Sequence, residues 1–219
     1  MAGCCRDYTL LTVAALRQHG IPARSRPGFT GYFGGDYHYD HVVVEWWNGS
    51  RWVRVDAQLD PDGRGPDGEP WPFDTLDLPV GRLDGMATAA EVWRAIRAGE
   101  ADPATFGVYP GAPYAGVSFV HDYVILELAH RQGDELLLWD GWGGMLPPES
   151  TPTDAEAAFI DHVAALLVAA DAGDPAAEAE LAERYAADDR LNPRGRVTQL
   201  NPYGQPEVEV DLEGPVAGF

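Results

Sequence analysis

The stretch DYHYDHVVVEWWNGSRWVRVDAQLD (residues 36–60) decides the fold that this sequence predicts. Two runs rich in β-branched and aromatic residues flank the pair Asn48-Gly49, which is a strong signal for a tight β-hairpin turn. The register of a two-residue loop at that pair places His41 directly opposite Asp56. Directly opposed residues have Cβ atoms about 4.5–5.5 Å apart. We therefore expect the Asp56 carboxylate to accept a hydrogen bond from the His41 imidazole, which would fix the tautomer of the ring.

The alternation of side chains along the two strands sorts them onto two faces of the hairpin. One face is predicted to belong to the core and carries four valines, Val42, Val44, Val53 and Val55. The other face carries His41 and Asp56 together with Glu45 and Arg54, which we expect to form a diagonal cross-strand ion pair. An ordinary structural His–Asp pair fits this pattern equally well, so the hairpin alone does not define a catalytic site.

The segment GCCRDYTLLTVAALRQHGIPAR (residues 3–24) predicts a helix whose start coincides with the only two cysteines of the chain, Cys4 and Cys5. A helix N-terminus favours the thiolate form of a cysteine, because the helix dipole and unpaired N–H groups stabilise negative charge there. A nearby imidazolium adds to this effect. With His41 and Asp56, the chain then has a candidate nucleophile, base and orienting carboxylate.

Three motifs in this order, GCCRDYTLL at a helix start, DHVVVEWW opening a strand and RWVRVDAQLD on the next strand, resemble the transglutaminase-like superfamily. The resemblance covers residues 3–60. It implies a papain-like α+β core, and acyl transfer from an amide or ester substrate through a thioester. It also implies that Cys5, and not Cys4, is the nucleophile, that His41 is the base and that Asp56 orients the histidine.

Two departures from the superfamily pattern accompany this resemblance. Members have a substantial segment before the cysteine helix, whereas four residues precede Cys5 here, so we expect the core to be truncated at its N-terminus. A side-chain donor for the oxyanion that often lies upstream is absent, which leaves the backbone N–H of Cys5 and a Trp indole for this role.

The whole chain is predicted to divide into a core (1–60), a loop or linker (61–86), and a mostly helical region (87–219) that packs on the core. Gly, Pro and Asp dominate the start of the linker. Capping boxes at Thr88 and Thr153 start two of the expected helices, and the second of these is expected to run through Leu166. Residues 23–25 and 29–33 are expected to be an edge strand and loop.

The segment LLWDGWGG (residues 137–144) has two interpretations, a strand running into a turn with core tryptophans or a wall of the substrate cleft. The remaining histidines lack partners at metal-ligand spacing, and no spaced CxxC pair is present, so we predict no metal and no cofactor. His38 lies three residues before His41 and therefore points to the opposite face of an extended strand.

The charge of the chain restricts its partners. Its formal net charge of −20 results from 35 acidic residues against 15 basic ones, all of them arginine. Such a surface repels phosphate backbones and anionic lipids, so we expect neither nucleic acid nor a membrane as partner. No apolar run is long enough to span a bilayer and no leader pattern is visible, which predicts a cytoplasmic protein.

Three functions are compatible with these features. The first is a thiol hydrolase acting on a peptide or an amide-containing small molecule. The second is a transglutaminase, in which an amine replaces water as the acyl acceptor. The third is a binding or scaffold module that keeps the three residues without catalysis.

Overall fold

The computed structural model describes residues 3–80, 85–200 and 206–214. Parts of the predicted linker and helical region therefore lie outside the described residues. The described residues form five α-helices, namely α1 (Cys5–Gln18), α2 (Ala89–Arg97), α3 (Gly116–Gln132), α4 (Asp154–Asp171) and α5 (Pro175–Ala187). The strands are β1 (Ala23–Thr30), β2 (His38–Trp47), β3 (Trp52–Val55), β4 (Met86–Thr88), β5 (Phe106–Gly107), β6 (Asp140–Gly141), β7 (Arg196–Gln199) and β8 (Val208–Asp211).

The protein is α+β, with an N-terminal helix, an antiparallel sheet and a helical C-terminal part, which confirms the predicted fold class. The main sheet has the strand order β3-β2-β1-β4, and β5 pairs in parallel with the first residues of β2. Helix α1 packs against β1 and β2, and α3 packs against β1. A second, small sheet has the order β6-β7-β8.

The hairpin of β2 and β3 forms in a different register from the predicted one. Trp47 pairs with Trp52, and the ladder ends at Val44 opposite Val55, so Asp56 is not directly opposite His41. The turn comprises residues 48–51, because the Asn48 side chain accepts the N–H groups of Ser50 (2.9 Å) and Arg51 (3.0 Å). The aromatic contact across the strands, with 5.8 Å between the rings of Trp47 and Trp52, supports this pairing.

The two faces of the hairpin nevertheless remain as predicted. The register differs by two residues, and only an odd shift would move a side chain to the other face. Glu45 lies directly opposite Arg54, not diagonally, and accepts a hydrogen bond from its Nε at 3.1 Å. Both faces of β2 are buried, which the simple alternation of valines and polar residues did not indicate.

Strand β1 also differs from expectation, since residues 23–30 form one continuous strand between β2 and β4. Pro27 is tolerated in its middle because β4 pairs only with residues 28–30. Gly28 lies opposite His41, and a Cβ atom there would come within 2.1 Å of the Ala87 carbonyl oxygen. A glycine is therefore required for β4 to approach β1 beside the histidine.

The largest apolar cluster joins Phe29 and Val42 of the sheet to buried side chains of α2, α3, α4 and α5. The α4 helix continues past Leu166 to Asp171, because Leu167 and Ala170 add buried contacts to this cluster. None of the helices in the described ranges is long and apolar enough to cross a membrane. The division into core, linker and helical region stays a prediction, and strands β4 and β5 show that residues beyond 60 complete the main sheet.

A buried network of charged side chains connects the sheet with the helices. Glu45 accepts a hydrogen bond from Arg24 at 2.6 Å, and the Arg26 guanidinium lies 3.1 Å from the Glu127 carboxylate on α3. Arg26 also pairs with Asp171 at the end of α4. Because these groups are largely removed from water, each carboxylate depends on its arginine partners.

Candidate active site

The N-terminus of α1 holds Cys5 at the first helical position, with Cys4 as the N-cap. Asp7 accepts a hydrogen bond from the backbone N–H of Cys4 at 2.9 Å, which fixes the start of the helix. The N–H of Cys5 has no partner within the helix, since the first four N–H groups of any helix are left over. Both cysteines are free thiols, and Cys5 is partly buried.

The two thiols differ in their surroundings. Partial burial raises the pKa of Cys4, with a further contribution from the charges of Cys5 and Asp7, although backbone N–H groups of Asp7 and Arg6 point at its sulfur. Cys5 instead lies beside His41, and its side chain contributes to the raised pKa of that histidine. The Thr9 hydroxyl donates to the carbonyl of Val42 at 2.9 Å and thereby fixes α1 against β2, next to the histidine.

His41 and Asp56 form a buried pair, with 2.7 Å between His41 Nε2 and Asp56 Oδ2. The predicted hydrogen bond is present although the predicted direct opposition is not. Asp56 continues beyond the end of β3, where its backbone N–H donates to the Thr75 carbonyl, and its side chain reaches the histidine diagonally. Because Nε2 bonds to the carboxylate, Nδ1 is the ring nitrogen left for Cys5.

Hydrogen bonding outweighs burial in the titration of this pair. Burial disfavours the charged imidazole, yet the hydrogen bonds and charges of Asp56 and Cys5 raise the pKa of His41 to about 10. Burial likewise acts against the Asp56 carboxylate, but His41, Tyr32 and the N–H of Gln58 hold its pKa below the usual value. The surroundings of the ring therefore favour its imidazolium form.

Aromatic side chains enclose the pair on one side. The Tyr32 hydroxyl donates to Asp56 Oδ2 at 2.5 Å, the same oxygen that bonds to His41. The rings of Tyr32 and Phe33 stand edge-on to the imidazole, at 6.0 Å and 5.2 Å between centroids. Trp71 packs against Tyr32 at 6.1 Å, so the predicted linker covers this side of the site. Removal of water strengthens the charge interactions inside.

A cleft of about 410 Å³ opens beside Cys5. Its walls are mostly apolar or aromatic and come from the chain between Val108 and Pro148, from α3, and from Leu200. Three carboxylates also line it, those of Asp40, Asp122 and Asp140. The α1 N-terminus is held against one wall, because the Arg6 guanidinium donates to the carbonyls of Glu135 (2.6 Å) and Leu136 (2.9 Å). The cleft therefore gives a substrate access to the thiol.

The segment 137–144 combines both of its predicted interpretations. Leu138, Trp139 and Asp140 line the cleft, whereas Trp142 is buried in the core and donates from its indole to the Leu191 carbonyl at 2.8 Å. Residues Asp140 and Gly141 form the short strand β6. The role of a Trp indole as an oxyanion donor stays a prediction, for which Trp139 is the tryptophan placed at the cleft.

The other histidines lie elsewhere. His38 stacks on Phe106 at 4.5 Å between centroids, His121 pairs with Asp122, and His130 is buried against the Ser25 hydroxyl at 2.7 Å. Burial lowers the pKa of His130 to about 3, so this ring stays neutral. No group of side chains able to hold a metal ion occurs within the described ranges.

Sequence reasoning identified Cys5, His41 and Asp56, which the structure brings together, but it missed Tyr32 and the cleft. Tyr32 lies in a loop between Gly31 and Gly34, where no periodicity marks its partner. A run of aromatic residues in a glycine-rich loop was the available signal.

The comparison with protein families agrees with this arrangement. The family model of the transglutaminase-like superfamily matches residues 1–57, the N-terminal part of the chain, in agreement with the resemblance seen in the sequence. The matched residues include α1 and the β2–β3 hairpin, with Cys5, His41 and Asp56. No curated protein and no solved structure matches the chain.

Proposed function

We propose that this protein is a thiol-dependent acyl-transfer enzyme of the transglutaminase-like type, which hydrolyses peptide or amide bonds through a thioester on Cys5. The observation that carries the proposal is the buried His41, which is bonded through Nε2 to Asp56 and lies beside Cys5, a residue that lines the cleft. The ordinary structural His–Asp pair considered from the sequence does not require a thiol on the other side of the ring.

The first half of the reaction forms the thioester. The Cys5 sulfur, as thiolate, attacks the carbonyl carbon of the substrate, and the negative charge moves to the carbonyl oxygen. The backbone N–H of Cys5 is available to donate to this oxyanion. The C–N bond then breaks while the His41 imidazolium gives its Nδ1 proton to the departing amine.

The second half returns the free enzyme. Neutral His41 accepts a proton from a water molecule, whose oxygen attacks the thioester carbonyl carbon, and the C–S bond breaks to release the acid and the thiolate. Asp56 keeps the ring oriented and stabilises the imidazolium, without itself accepting the proton. An amine in place of water would give transglutaminase chemistry by the same steps.

The test compares the two cysteines, because they are neighbours and Cys5 is the one whose side chain acts on the pKa of His41. We expect iodoacetamide at pH 6.5 to label Cys5 faster than it labels N-acetylcysteine. Cys5→Ala should abolish this fast labelling and any amide hydrolysis, whereas Cys4→Ala should retain most of both. Mass spectrometry of the labelled peptide measures the site.

Two results would contradict the proposal. Labelling of Cys5 at the rate of free N-acetylcysteine would leave a non-catalytic module as the better explanation. Labelling that depends on Cys4 would place the nucleophile one residue earlier.

A further inference from the structure

The cleft beside Cys5 combines apolar walls with three acidic side chains. Large apolar and aromatic side chains form most of its lining, including Tyr114, Phe119, Leu126, Trp139 and Met145. Among the described residues that line it, three are aspartates and none is an arginine or a histidine. An apolar site of this size takes a ring or a branched chain, and its charge disfavours anions.

Asp140 has an oxygen whose hydrogen-bonding capacity is not used. Its Oδ2 accepts the backbone N–H of Leu137 at 2.8 Å and so holds the loop before β6. Its Oδ1 is buried without any hydrogen-bond partner, and the residue is only 6% exposed. A buried carboxylate oxygen without a donor is costly, so a donor supplied by a ligand would be bound with a gain in free energy.

The other two carboxylates of the cleft are already engaged. Asp40 accepts the hydroxyl of Tyr123 at 2.6 Å, and Asp122 accepts the N–H of Leu146 at 2.9 Å as well as a hydrogen bond from His121. Burial raises the pKa of both groups and also that of Asp140. The pKa rises for the same reason in all three cases. Each carboxylate has lost hydration through burial, and among the described residues none forms a salt bridge with an arginine that would offset this loss.

Arg6 is the cation whose charge acts on Asp140. Its guanidinium is committed to the carbonyls of Glu135 and Leu136 and forms no ion pair with Asp140. It therefore helps to keep the carboxylate charged without occupying Oδ1.

We propose that the cleft selects a substrate that carries an aromatic or branched apolar group together with a protonated nitrogen, which donates to Asp140 Oδ1. This inference rests on the proposed function, because it assigns the substrate class of the same site. A cationic apolar amide would fill the cleft, satisfy Asp140 and place its carbonyl carbon at Cys5.

Four chloroacetamides test the inference without knowledge of the natural substrate, since each alkylates a thiol with loss of chloride. Their amide nitrogens carry no substituent, a benzyl group, a para-aminomethylbenzyl group or a para-carboxybenzyl group. We expect the benzyl reagent to label Cys5 about tenfold faster than the unsubstituted one, because it buries its ring. The aminomethyl reagent should gain about tenfold more, because it adds a charged hydrogen bond, and the carboxybenzyl reagent should be the slowest of the aromatic three.

The matched variants separate Asp140 from the general negative charge of the protein. Asp140→Asn can still accept the Leu137 N–H, and it should reduce the aminomethyl-to-benzyl ratio to about one. Asp36→Asn removes the same charge from an exposed position and should leave the ratio unchanged. If Asp140→Asn fails to fold, the order of the four reagents on the unaltered protein still decides the question.

The two proposals fail in different ways. Equal labelling by the aminomethyl, benzyl and carboxybenzyl reagents would overturn the cationic substrate class. Equal labelling by the benzyl and unsubstituted reagents would overturn the cleft as a binding site. The rate at which each reagent labels Cys5 is divided by the rate at which the same reagent labels N-acetylcysteine, and these ratios are compared between reagents. A Cys5 that reacts slowly with every reagent would therefore count against the proposed function and not against the substrate class.

Discussion

Replacing Asp56 with asparagine tests the coupling between the three candidate catalytic residues. The amide is nearly isosteric with the carboxylate and can still accept the N–H of Gln58, so we expect the fold to be kept. It removes the anion that lies 2.7 Å from His41 Nε2, and it can present an N–H group to that nitrogen, which favours the wrong tautomer.

The structure sets the size of the expected effect. The pKa of His41 is raised from 6.5 to about 10, which corresponds to a preference of about 5 kcal/mol for the imidazolium. An opposite charge at hydrogen-bond distance typically accounts for about 1–3 pH units, or about 1.4–4 kcal/mol, of such a preference. In Asp56→Asn the pKa of His41 should therefore fall from about 10 to about 7–9, which is a loss of support for the Cys5 thiolate.

Iodoacetamide labelling measures this loss. We expect the labelling rate of Cys5 at pH 6 to be lower in Asp56→Asn than in the unaltered protein, because the imidazolium that supports the thiolate is less stable. Above pH 10 the two proteins should become similar, because His41 then no longer carries the proton that pairs with the thiolate. Asp36→Asn, which removes an exposed carboxylate, should behave like the unaltered protein at both pH values. An identical ratio of the rates at pH 6 and pH 10 in all three proteins would refute the coupling.

Two further substitutions address the surroundings of the site. Tyr32→Phe keeps the aromatic ring but removes the hydroxyl that donates to Asp56. The rate at which iodoacetamide labels Cys5 at pH 6 should therefore fall about threefold to tenfold. An unchanged rate would show that this hydroxyl does not position the carboxylate. Glu45→Gln leaves buried arginines unpaired and should cost about 3–5 kcal/mol in the free energy of unfolding at pH 7, measured by urea denaturation, while the exposed Glu69→Gln should cost little. Arginine partners depress the pKa of Glu45, so its contribution to the free energy of unfolding is present above its ordinary pKa of 4.5 and declines as the pH falls below that value. The stabilities of the variant and the unaltered protein should therefore converge in acid. An unchanged urea midpoint at pH 7 would contradict this account.

The faces of the hairpin could be predicted from the sequence, but its register could not. Side chains alternate with a period of two whichever even shift the strands adopt, so His41 and Asp56 share a face in either register. The register depends on where the turn begins, and Asn48 is compatible with a two-residue or a four-residue turn. Its side chain decides between them by accepting the N–H groups of Ser50 and Arg51, a contact that the residue types alone do not specify.

The position of the two cysteines at the start of a helix was predictable because it depends on a local feature of the sequence. The cleft was not, because its walls are assembled from segments far apart in the chain. Tyr32 and Asp56 are likewise separated by 24 residues and meet through the packing of a loop. Contacts of this kind depend on tertiary structure, about which periodicity gives no information.

Residues outside the family match contribute to the aromatic surroundings of the candidate site and to the wall of the cleft. Within residues 1–57, helix α1 and the hairpin supply a thiol, an imidazole and a carboxylate. Trp71 packs on Tyr32, whose hydroxyl donates to Asp56, and the wall of the cleft beside the thiol includes Trp139 and Asp140. Asp56 and Cys5, which raise the pKa of His41, both lie within the matched segment, whereas the wall lies outside it. Since selectivity depends on the wall, we expect the matched segment alone to provide no choice among substrates.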